Sequence, residues 1–272
     1  ATFTVRASAP VEDGMALWVS ADAGISTDVT YSSVWADQSG RGNHLIQTEG
    51  SRLPRLVSDP GTGLPAMRFD GNSDYLRFTN RLTNIRTVFW VLREDAASTS
   101  SYRSLLGDGS AVDFHGGQGA PGSIWYSHAS YAVPAKNGLT VLNGAPVNGA
   151  VATRPTTVSV LSVTTSTNAT ASWFGSQLGT NYFWWGDLAE MIIYDRALTS
   201  QERAQVEAYL TSKYAIGEKV SAPVVSPNGG MFAGEVTVSM STATQNAQIH
   251  YTLDGTDPTE LSEAYAGPFP LS

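Results

Sequence analysis

The sequence contains no cysteine among its 272 residues, which removes several kinds of structure and chemistry. Without cysteine there is no disulfide, no thiol nucleophile, no cysteine-ligated zinc and no iron–sulfur cluster. Charged residues are also scarce, at 15%, and 16 Lys and Arg are outnumbered by 24 Asp and Glu. Nucleic-acid-binding proteins usually carry a basic surface that neutralises phosphates, so the net charge of -8 argues against a nucleic-acid partner.

Long apolar segments and helical periodicity are the next two features that the sequence lacks. No stretch approaches the roughly 20 apolar residues of a membrane-spanning helix, so no membrane span is predicted. Apolar residues mostly occur in short runs or alternate with polar ones, which is typical of strands with one buried face. Together with the 42% hydrophobic content, this pattern predicts an all-β protein with a real core. The low charged fraction and the abundance of Ser, Thr, Gly and Asn favour a secreted or cell-surface protein.

Three segments are predicted to form core strands: Thr87–Leu92, Thr156–Val163 and Leu188–Tyr194. The segment Leu139–Val147 contains the dipeptide Asn143-Gly144 at its centre. This dipeptide favours the tight turn of a two-stranded hairpin, because both residues tolerate a positive φ. The sequence therefore predicts a hairpin here.

One helix is predicted from Thr199 onwards. Thr199 and Glu202 have the spacing of a capping box, in which each side chain bonds the backbone amide of the other residue. Val206 and Leu210 follow at helical spacing, and Gly217 is a suitable residue to end the helix. The helix is expected to cover the core at one edge of a sandwich.

The composition changes after residue 217, which predicts a domain boundary. We assign residues 1–217 to a first domain, 218–222 to a linker and 223–272 to a second, small β domain. Alternating segments at Glu235–Met240 and Ala247–Leu253 supply its predicted strands. About 50 residues fall short of the roughly 100 of an immunoglobulin-type sandwich, so we expect a truncated domain in a longer, multidomain chain.

Several ordered blocks of sequence resemble known families. Four of them resemble bacterial LamG-like, concanavalin A-like domains: Leu17–Asp22, Val34–His44, Leu64–Leu76 and Gly186–Thr199. In the tail, Ser226–Gly230 and Ile249–Thr259 resemble the chitobiase C-terminal domain, which is fibronectin III-like.

The resemblance implies an antiparallel jelly-roll sandwich with one C-terminal helix, followed by part of a small immunoglobulin/fibronectin III-like β-sandwich. It also implies a carbohydrate-binding or adhesion role for the first domain and an accessory role for the second. Neither family fixes a ligand, because function depends on sites that vary within a fold.

Carboxylate pairs are the first candidates for catalysis, because retaining glycosidases use two carboxyl groups about 5–5.5 Å apart. Asp187 and Glu190 are three residues apart on a predicted strand, so we expect their side chains to lie on opposite faces. Glu190 and Asp195, five apart, give the same result. The sequence therefore predicts no enzyme, and no catalytic residue is assigned.

Calcium is the metal that the sequence best accommodates, since it binds carboxylate, amide and carbonyl oxygens of loops. Asp37 and Asn43 share one predicted turn, and Asp70 and Asp74 share another. The alternative is that these side chains accept hydrogen bonds from backbone amides within their turns. A structural Ca²⁺ is thus a possible ligand, but no cofactor is required.

The aromatic residues carry the strongest indication of a binding site. Flat aromatic rings stack on the apolar faces of sugars, and neighbouring polar side chains direct hydrogen bonds. The candidate ligand-binding residues are Trp125, Tyr126, His128, Tyr131, Trp184 and Trp185. Because neighbouring strand residues face opposite ways, Trp184 and Trp185 cannot both be buried on one side. The alternative for each ring is a place in the core, as expected for Trp18, Trp35 and Trp90.

The sequence favours a non-catalytic carbohydrate-binding or adhesion module of a larger secreted bacterial protein, with a polysaccharide or glycan as partner. Two alternatives stay open. One is a ligand-free structural spacer of a surface or scaffold protein, and the other is an accessory fragment of a polysaccharide-degrading enzyme. Exposure of the candidate aromatic rings separates the binding hypothesis from the spacer.

Overall fold

The computed structural model of the chain describes residues 11–27, 33–59, 62–99, 101–177, 181–216, 222–243, 247–259 and 262–271. The chain divides into two compact units, residues 1–216 and 217–272. Gly217 and residues 218–221 of the predicted linker lie outside the described residues. None of the helices in the described ranges is long and apolar enough to cross a membrane.

The first unit is built almost entirely from antiparallel strands. They are β1 (Met15–Ser20), β2 (Ile25–Thr27), β3 (Ser33–Trp35), β4 (Leu45–Gln47), β5 (Arg55–Ser58), β6 (Pro65–Asp70), β7 (Leu76–Glu94), β8 (Ser104–Gly107), β9 (Phe114–His115), β10 (Leu139–Leu142), β11 (Ala145–Val147), β12 (Ser159–Phe174) and β13 (Trp185–Tyr194). Among the described residues of this unit, two helices accompany them, the single turn α1 (Val133–Lys136) and the longer α2 (Ser200–Lys213), together with a 3₁₀ turn at Gly50–Arg52. The predicted all-β sandwich with one substantial helix is confirmed.

The long strands β7 and β12 pair with each other and take part in both layers of the sandwich. Their first layer joins Thr87–Leu92 of β7 to Ser159–Thr164 of β12, flanked by β13 and β10. Register shifts follow between Thr164 and Trp173 of β12. Beyond them, the N-terminal part of β7 pairs with β4 and the C-terminal part of β12 pairs with β8.

The main core lies between these layers. Trp90, Leu161 and Val163 project into it from the first layer, and Leu76 and Ala171 from the second. The expected core tryptophans are buried: Trp35 and Trp90 are fully inaccessible, and Trp18 is 8% exposed. Two predicted strands lie within β7 and β13, whereas the strand predicted from Thr156 begins only at Ser159, in β12. The predicted hairpin is formed by β10 and β11 around Asn143 and Gly144. Both turn residues have positive φ, as that turn requires.

Helix α2 covers the outer face of the first layer. Its N-terminus has the predicted capping box, with the Glu202 amide donating to Thr199 Oγ1 and the Thr199 amide donating to Glu202 Oε2. Val206 and Leu210 are buried against Phe89 of β7 and its neighbours, in a second apolar cluster. The helix therefore covers the core, as the sequence predicts.

Asp187 and Glu190 lie on the same face of β13, so the expectation of opposite faces was wrong. A register shift between Leu188 and Glu190 marks a bulge that inserts Ala189 and resets the alternation. Both carboxylate groups are nonetheless bound by other side chains of the protein. Asp187 is bound by Arg68 and by Arg93, whereas Glu190 bonds side chains of α2. The two groups act in separate networks that hold the sheet and the helix.

The described part of the second unit contains short strands in two small sheets. They are β14 (Val224–Ser226), β15 (Val236–Ser241), β16 (His250–Tyr251), β17 (Glu263–Ala264) and β18 (Phe269–Leu271). Strand β15 confirms the segment predicted at Glu235–Met240. The strand predicted over Ala247–Leu253 is observed only as the two-residue β16, because only two residues of its partner β17 pair with it.

Candidate functional site

The six candidate aromatic residues separate into core rings and surface rings. Trp125 and Trp184 are fully buried. Trp125 packs against Trp90 and Phe114, and its Nε1 donates to Thr140 Oγ1 at 2.8 Å. These two rings cannot stack on a ligand, so their assignment to a binding site was wrong. Both rings face the interior, and the order of aromatic residues in the sequence does not show which rings do so.

Trp185 is the neighbour of Trp184 and faces the other way, as expected for consecutive residues at the start of β13. It is half-buried and lines an open cleft of about 460 Å³. The cleft also contains polar side chains of β5, β6 and the turn that follows β6. Its lining residues of this kind are Arg55, Arg68, Asp70 and Asp74. We call this cavity the Trp185 cleft.

The Trp185 side chain is held from behind by Gly71 and Arg103. Gly71 has φ +71°, and a Cβ at this position would collide with the Trp185 side chain, so the turn needs glycine for two reasons. The Arg103 guanidinium lies 5.7 Å from the Trp185 ring centroid, within the range of a cation–π contact. Arg103 Nη1 also donates to the carbonyls of Phe183 and Gly71. The ring is therefore fixed before any ligand arrives.

Asp70 and Asp74 form one wall of the Trp185 cleft and bond each other's backbone. Asp70 Oδ1 accepts from the amides of Asn72, Ser73 and Asp74, and the Asp70 amide donates to Asp74 Oδ2 at 3.0 Å. Burial first, and then the nearby Asp70 charge, raise the pKa of Asp74 to about 6, against the opposing effects of the hydrogen bond from the Asp70 amide and of the Arg55 charge. Near neutral pH this carboxyl group thus changes between hydrogen-bond donor and acceptor.

The positive charges of the Trp185 cleft come from two arginines, one in an ion pair and one exposed. Arg68 makes a bidentate ion pair with Asp187, with both N···O distances 2.8 Å, and its side chain remains 39% exposed. Arg55 is exposed at the cleft and lowers the pKa of Asp74 through its charge. A guanidinium presents several donors in a plane, which suits the hydroxyl groups of a polar ligand.

Tyr126, His128 and Tyr131 come together on a second surface. Their rings contact one another, with centroid distances of 5.4–5.7 Å. The structure adds Tyr102 and Tyr182, whose rings lie 5.6 Å apart at a steep angle. The four tyrosines are half-buried and His128 is exposed. We call these five residues the tyrosine patch.

A buried polar layer supports the tyrosine patch from below. His115 lies under the patch, with ring centroids 4.8 Å from Tyr182 and 5.2 Å from Tyr131. Its Nδ1 is 3.1 Å from Ser104 Oγ, which in turn donates to Gln177 Oε1. Burial first, and then the charge of Arg154, lower the pKa of His115 to about 4. The imidazole is therefore neutral at physiological pH.

An ion pair in the interior fixes the loops that carry both surfaces. Glu94 and Arg154 are almost fully buried and lie 2.8 Å apart, and Arg154 Nη1 donates to the carbonyls of Gly117 and Ser123. Arg103 approaches the same carboxylate at 3.9 Å. Burial lowers the pKa of Arg103, the Arg154 charge adds to this, and Glu94 opposes it. Breaking a buried pair by removing one partner is costly, so these groups keep the loops in place.

The candidate calcium ligands act as hydrogen-bond partners of their own turns and of neighbouring segments. The two Asp37 oxygens accept from the amides of Trp18, Ser39 and Asn43 and from Ser39 Oγ. Asn43 Nδ2 donates to Ala16, and Asn43 Oδ1 accepts from Asn80. Within the part of the chain that the structure describes, no three His, Asp or Glu side chains are placed to hold a metal ion. The geometry supports the turn alternative, and calcium binding stays a prediction.

Sequence reasoning missed the residues that complete these surfaces. Tyr102 and His115 have no local motif, and they meet Tyr126 only through the folding of distant loops. Glu94 carried a usable signal, because a carboxylate two residues after the apolar run Thr87–Leu92 still belongs to the same buried strand. Arg154 lies 60 residues further along the chain, and no spacing rule connects the two.

Comparison with known families finds a match within the second unit. Residues 227–272 match the model of the chitobiase/beta-hexosaminidase C-terminal domain. This match supports the predicted fibronectin-like C-terminal domain and relates the chain to accessory domains of glycoside hydrolase-like proteins. No curated protein sequence matches the chain.

Among solved structures, the chain is similar to Trypanosoma rangeli sialidase in three structures, one with the inhibitor DANA and one with sialic acid. Sequence identity is 14% and the TM-score is 0.40–0.41. The alignments cover 72–76% of this chain and 33–34% of the sialidase chain, so the chain spans about a third of the sialidase length. Similarity at this level does not support a shared activity.

Proposed function

We propose that residues 1–216 form a non-catalytic carbohydrate-binding module that holds a sugar in the Trp185 cleft. The observation that supports this proposal best is the position of Trp185 itself. A half-buried indole, fixed by Gly71 and Arg103, lines an open cleft whose other walls carry arginine and aspartate. Sugars are bound by such a combination, because the ring stacks on C–H groups while polar side chains bond hydroxyls.

The size and chemistry of the Trp185 cleft fit a small saccharide. Its volume of about 460 Å³ lies within the range of roughly 300–1,000 Å³ that is usual for ligand pockets. Arg55 and Arg68 offer donors, and Asp74 accepts or donates according to its protonation. In this arrangement the sugar ring lies against Trp185 and its hydroxyl groups reach the charged wall.

The family matched by residues 227–272 supports a glycan as the ligand. Its name refers to chitobiase and beta-hexosaminidase, which makes N-acetylhexosamine chains the first probes to choose. We further propose that the whole chain is an accessory part of a larger secreted or cell-surface protein acting on glycans. A structural Ca²⁺ is not needed for this function.

Isothermal titration with N,N'-diacetylchitobiose and cellobiose, together with depletion on chitin and cellulose, tests the proposal. Trp185→Ala is expected to weaken binding by roughly 5- to 150-fold, the usual effect of losing an aromatic hot spot of about 1–3 kcal/mol. Trp173→Ala is the matched control, because Trp173 is also half-buried but does not line the cleft. Binding that is equal in the two variants, or absent from the parent, would contradict the proposal and favour the structural spacer.

A further inference from the structure

We infer that the tyrosine patch is a second sugar-binding subsite, so that the ligand is a glycan chain long enough to contact both surfaces. The inference depends on the proposed function and specifies its ligand class. The aromatic rings of the tyrosine patch lie outside the core, so the packing of the sandwich does not account for their arrangement. Four half-buried tyrosines and the exposed His128 present a continuous aromatic surface, with neighbouring centroids 5.0–5.7 Å apart.

Hydrogen bonds connect the loops that carry the tyrosine patch, and no ligand is needed to form them. The Ser104 amide donates to the Tyr182 carbonyl, and the Tyr126 amide donates to the His115 carbonyl. Tyr102 donates a hydrogen bond to the Tyr126 hydroxyl at 3.4 Å. Lys136 bonds the carbonyl of His128 and holds that loop. Rings fixed in this way lose little conformational entropy on binding, as is typical of tyrosine-rich recognition surfaces.

The chain path places the tyrosine patch near the Trp185 cleft. Tyr182 and Trp185 are three residues apart, so their Cα atoms are separated by at most about 11 Å. Tyr102 belongs to the patch, and the adjacent Arg103 stacks on Trp185. The same two short segments therefore support both surfaces. The inference therefore requires a linear glycan that extends from the cleft to the patch.

A chain of sugars suits this pair of surfaces better than a single sugar does. Stacking of one sugar on one aromatic ring is weak and depends little on which sugar is bound. In a polymer, consecutive sugar rings each offer a face that can stack. Once the first sugar is bound at Trp185, the next rings are held at a high effective concentration over the patch. The affinity is then expected to rise with chain length.

Oligosaccharides of two lengths test this inference. We would titrate the full chain with N,N'-diacetylchitobiose and chitohexaose, and with cellobiose and cellohexaose. The parent protein is expected to bind one hexasaccharide at least roughly tenfold more tightly than its disaccharide. Tyr126→Ala with Tyr131→Ala should abolish this length advantage and leave disaccharide affinity unchanged. Tyr265→Ala, a half-buried tyrosine of the second unit, is the matched control.

A second double variant, Tyr126→Leu with Tyr131→Leu, keeps apolar volume but removes the flat rings, so it tests the inference if the alanine variant does not fold. Equal affinity of the parent for both lengths, or a length advantage that survives in the variants, overturns the inference and leaves the cleft unaffected. Loss of the length advantage while Trp185→Ala has no effect contradicts the cleft instead. If no oligosaccharide binds the parent, both proposals fail. Finding that the patch binds a protein and no sugar would also overturn the inference.

Discussion

The Lys213 ammonium lies 2.8 Å from Glu190 Oε2, and this pair attaches helix α2 to the sandwich. Glu190 is fully buried in the middle of β13. Its two oxygens also accept from Trp18 Nε1 and from the hydroxyls of Tyr209 and Tyr214. One carboxylate thereby connects two strands and the last two turns of the helix.

Replacing Glu190 with Gln is expected to destabilise the first unit by roughly 3 kcal/mol. The change removes the main counter-charge of a partly buried lysine. It also replaces one carboxylate oxygen with an amide group that donates, so the hydrogen bonds this oxygen accepted are lost. Urea unfolding followed by tryptophan fluorescence measures the loss, and all seven tryptophans lie in residues 1–216, so the signal reports that unit.

Glu49→Gln provides the control for Glu190→Gln. Glu49 pairs with Arg52 at 2.8 Å, but its side chain is 56% exposed. Exposed pairs contribute about 0–1 kcal/mol, so little change is expected. Equal effects of the two substitutions would show that Glu190 does not act as the central contact of the helix.

Asp37→Ala is expected to destabilise the first unit by about 3 kcal/mol, because a charged acceptor of four hydrogen bonds is lost. Since these donors already surround both oxygens, the melting temperature of the parent should be the same in calcium and in a strong chelator. A native-state calcium site would instead raise the melting temperature as calcium is added. Asp95→Ala, which removes a single amide contact at Ala97, is the control and should cost less.

The sequence predicted the elements that rest on local signals. The capping box at Thr199, the Asn143-Gly144 hairpin and the apolar strand at Thr87–Leu92 each contain their cause within a few residues. The adjacent pair Trp184 and Trp185 was also predicted to split between two faces. Local patterns succeed here because the period of a strand or helix is a property of the backbone.

The features that failed depend on contacts between distant segments. The bulge at Ala189 changes which face Glu190 occupies, and its cause is the register with β7. The tyrosine patch gathers rings from three separate loops, so the sequence grouped Tyr126, His128 and Tyr131 but did not add Tyr102 and Tyr182 to them. Trp125 was assigned to the surface, although its position against Trp90 is set by packing between the layers.

Asp74→Asn is expected to change how stability depends on pH. The folded pKa of Asp74, about 6, is above its ordinary value of 3.8, so the folded state binds the proton more tightly. Below about pH 4 both states are protonated and this group has no further effect. As pH rises from about 4 through 6, the folded state must ionise a buried carboxyl group near Asp70, and stability falls. Asparagine can still accept the bond from the Asp70 amide but does not ionise.

The measurement is the free energy of unfolding of both proteins at pH 4, 5, 6 and 7. The variant should gain stability relative to the parent as pH rises, with most of the change between pH 4 and 6. Other titrating groups cancel in the difference, since they are present in both proteins. A difference that is constant with pH would show that the pKa of Asp74 is not raised.

Trp184→Ala and Trp185→Ala are expected to have different effects although the two residues are adjacent. Trp184 is fully buried in the core, so removing its ring leaves a cavity and should cost roughly 3–5 kcal/mol of stability. Trp185 is half-buried at the Trp185 cleft, and its ring contacts Gly71 and the Arg103 guanidinium. Its loss should cost clearly less stability and should act on sugar affinity instead. Unfolding in urea and titration with N,N'-diacetylchitobiose, applied to both variants, separate the two effects. If Trp185→Ala destabilises the first unit as much as Trp184→Ala does, the ring at the cleft is part of the core, and the binding role proposed for it is wrong.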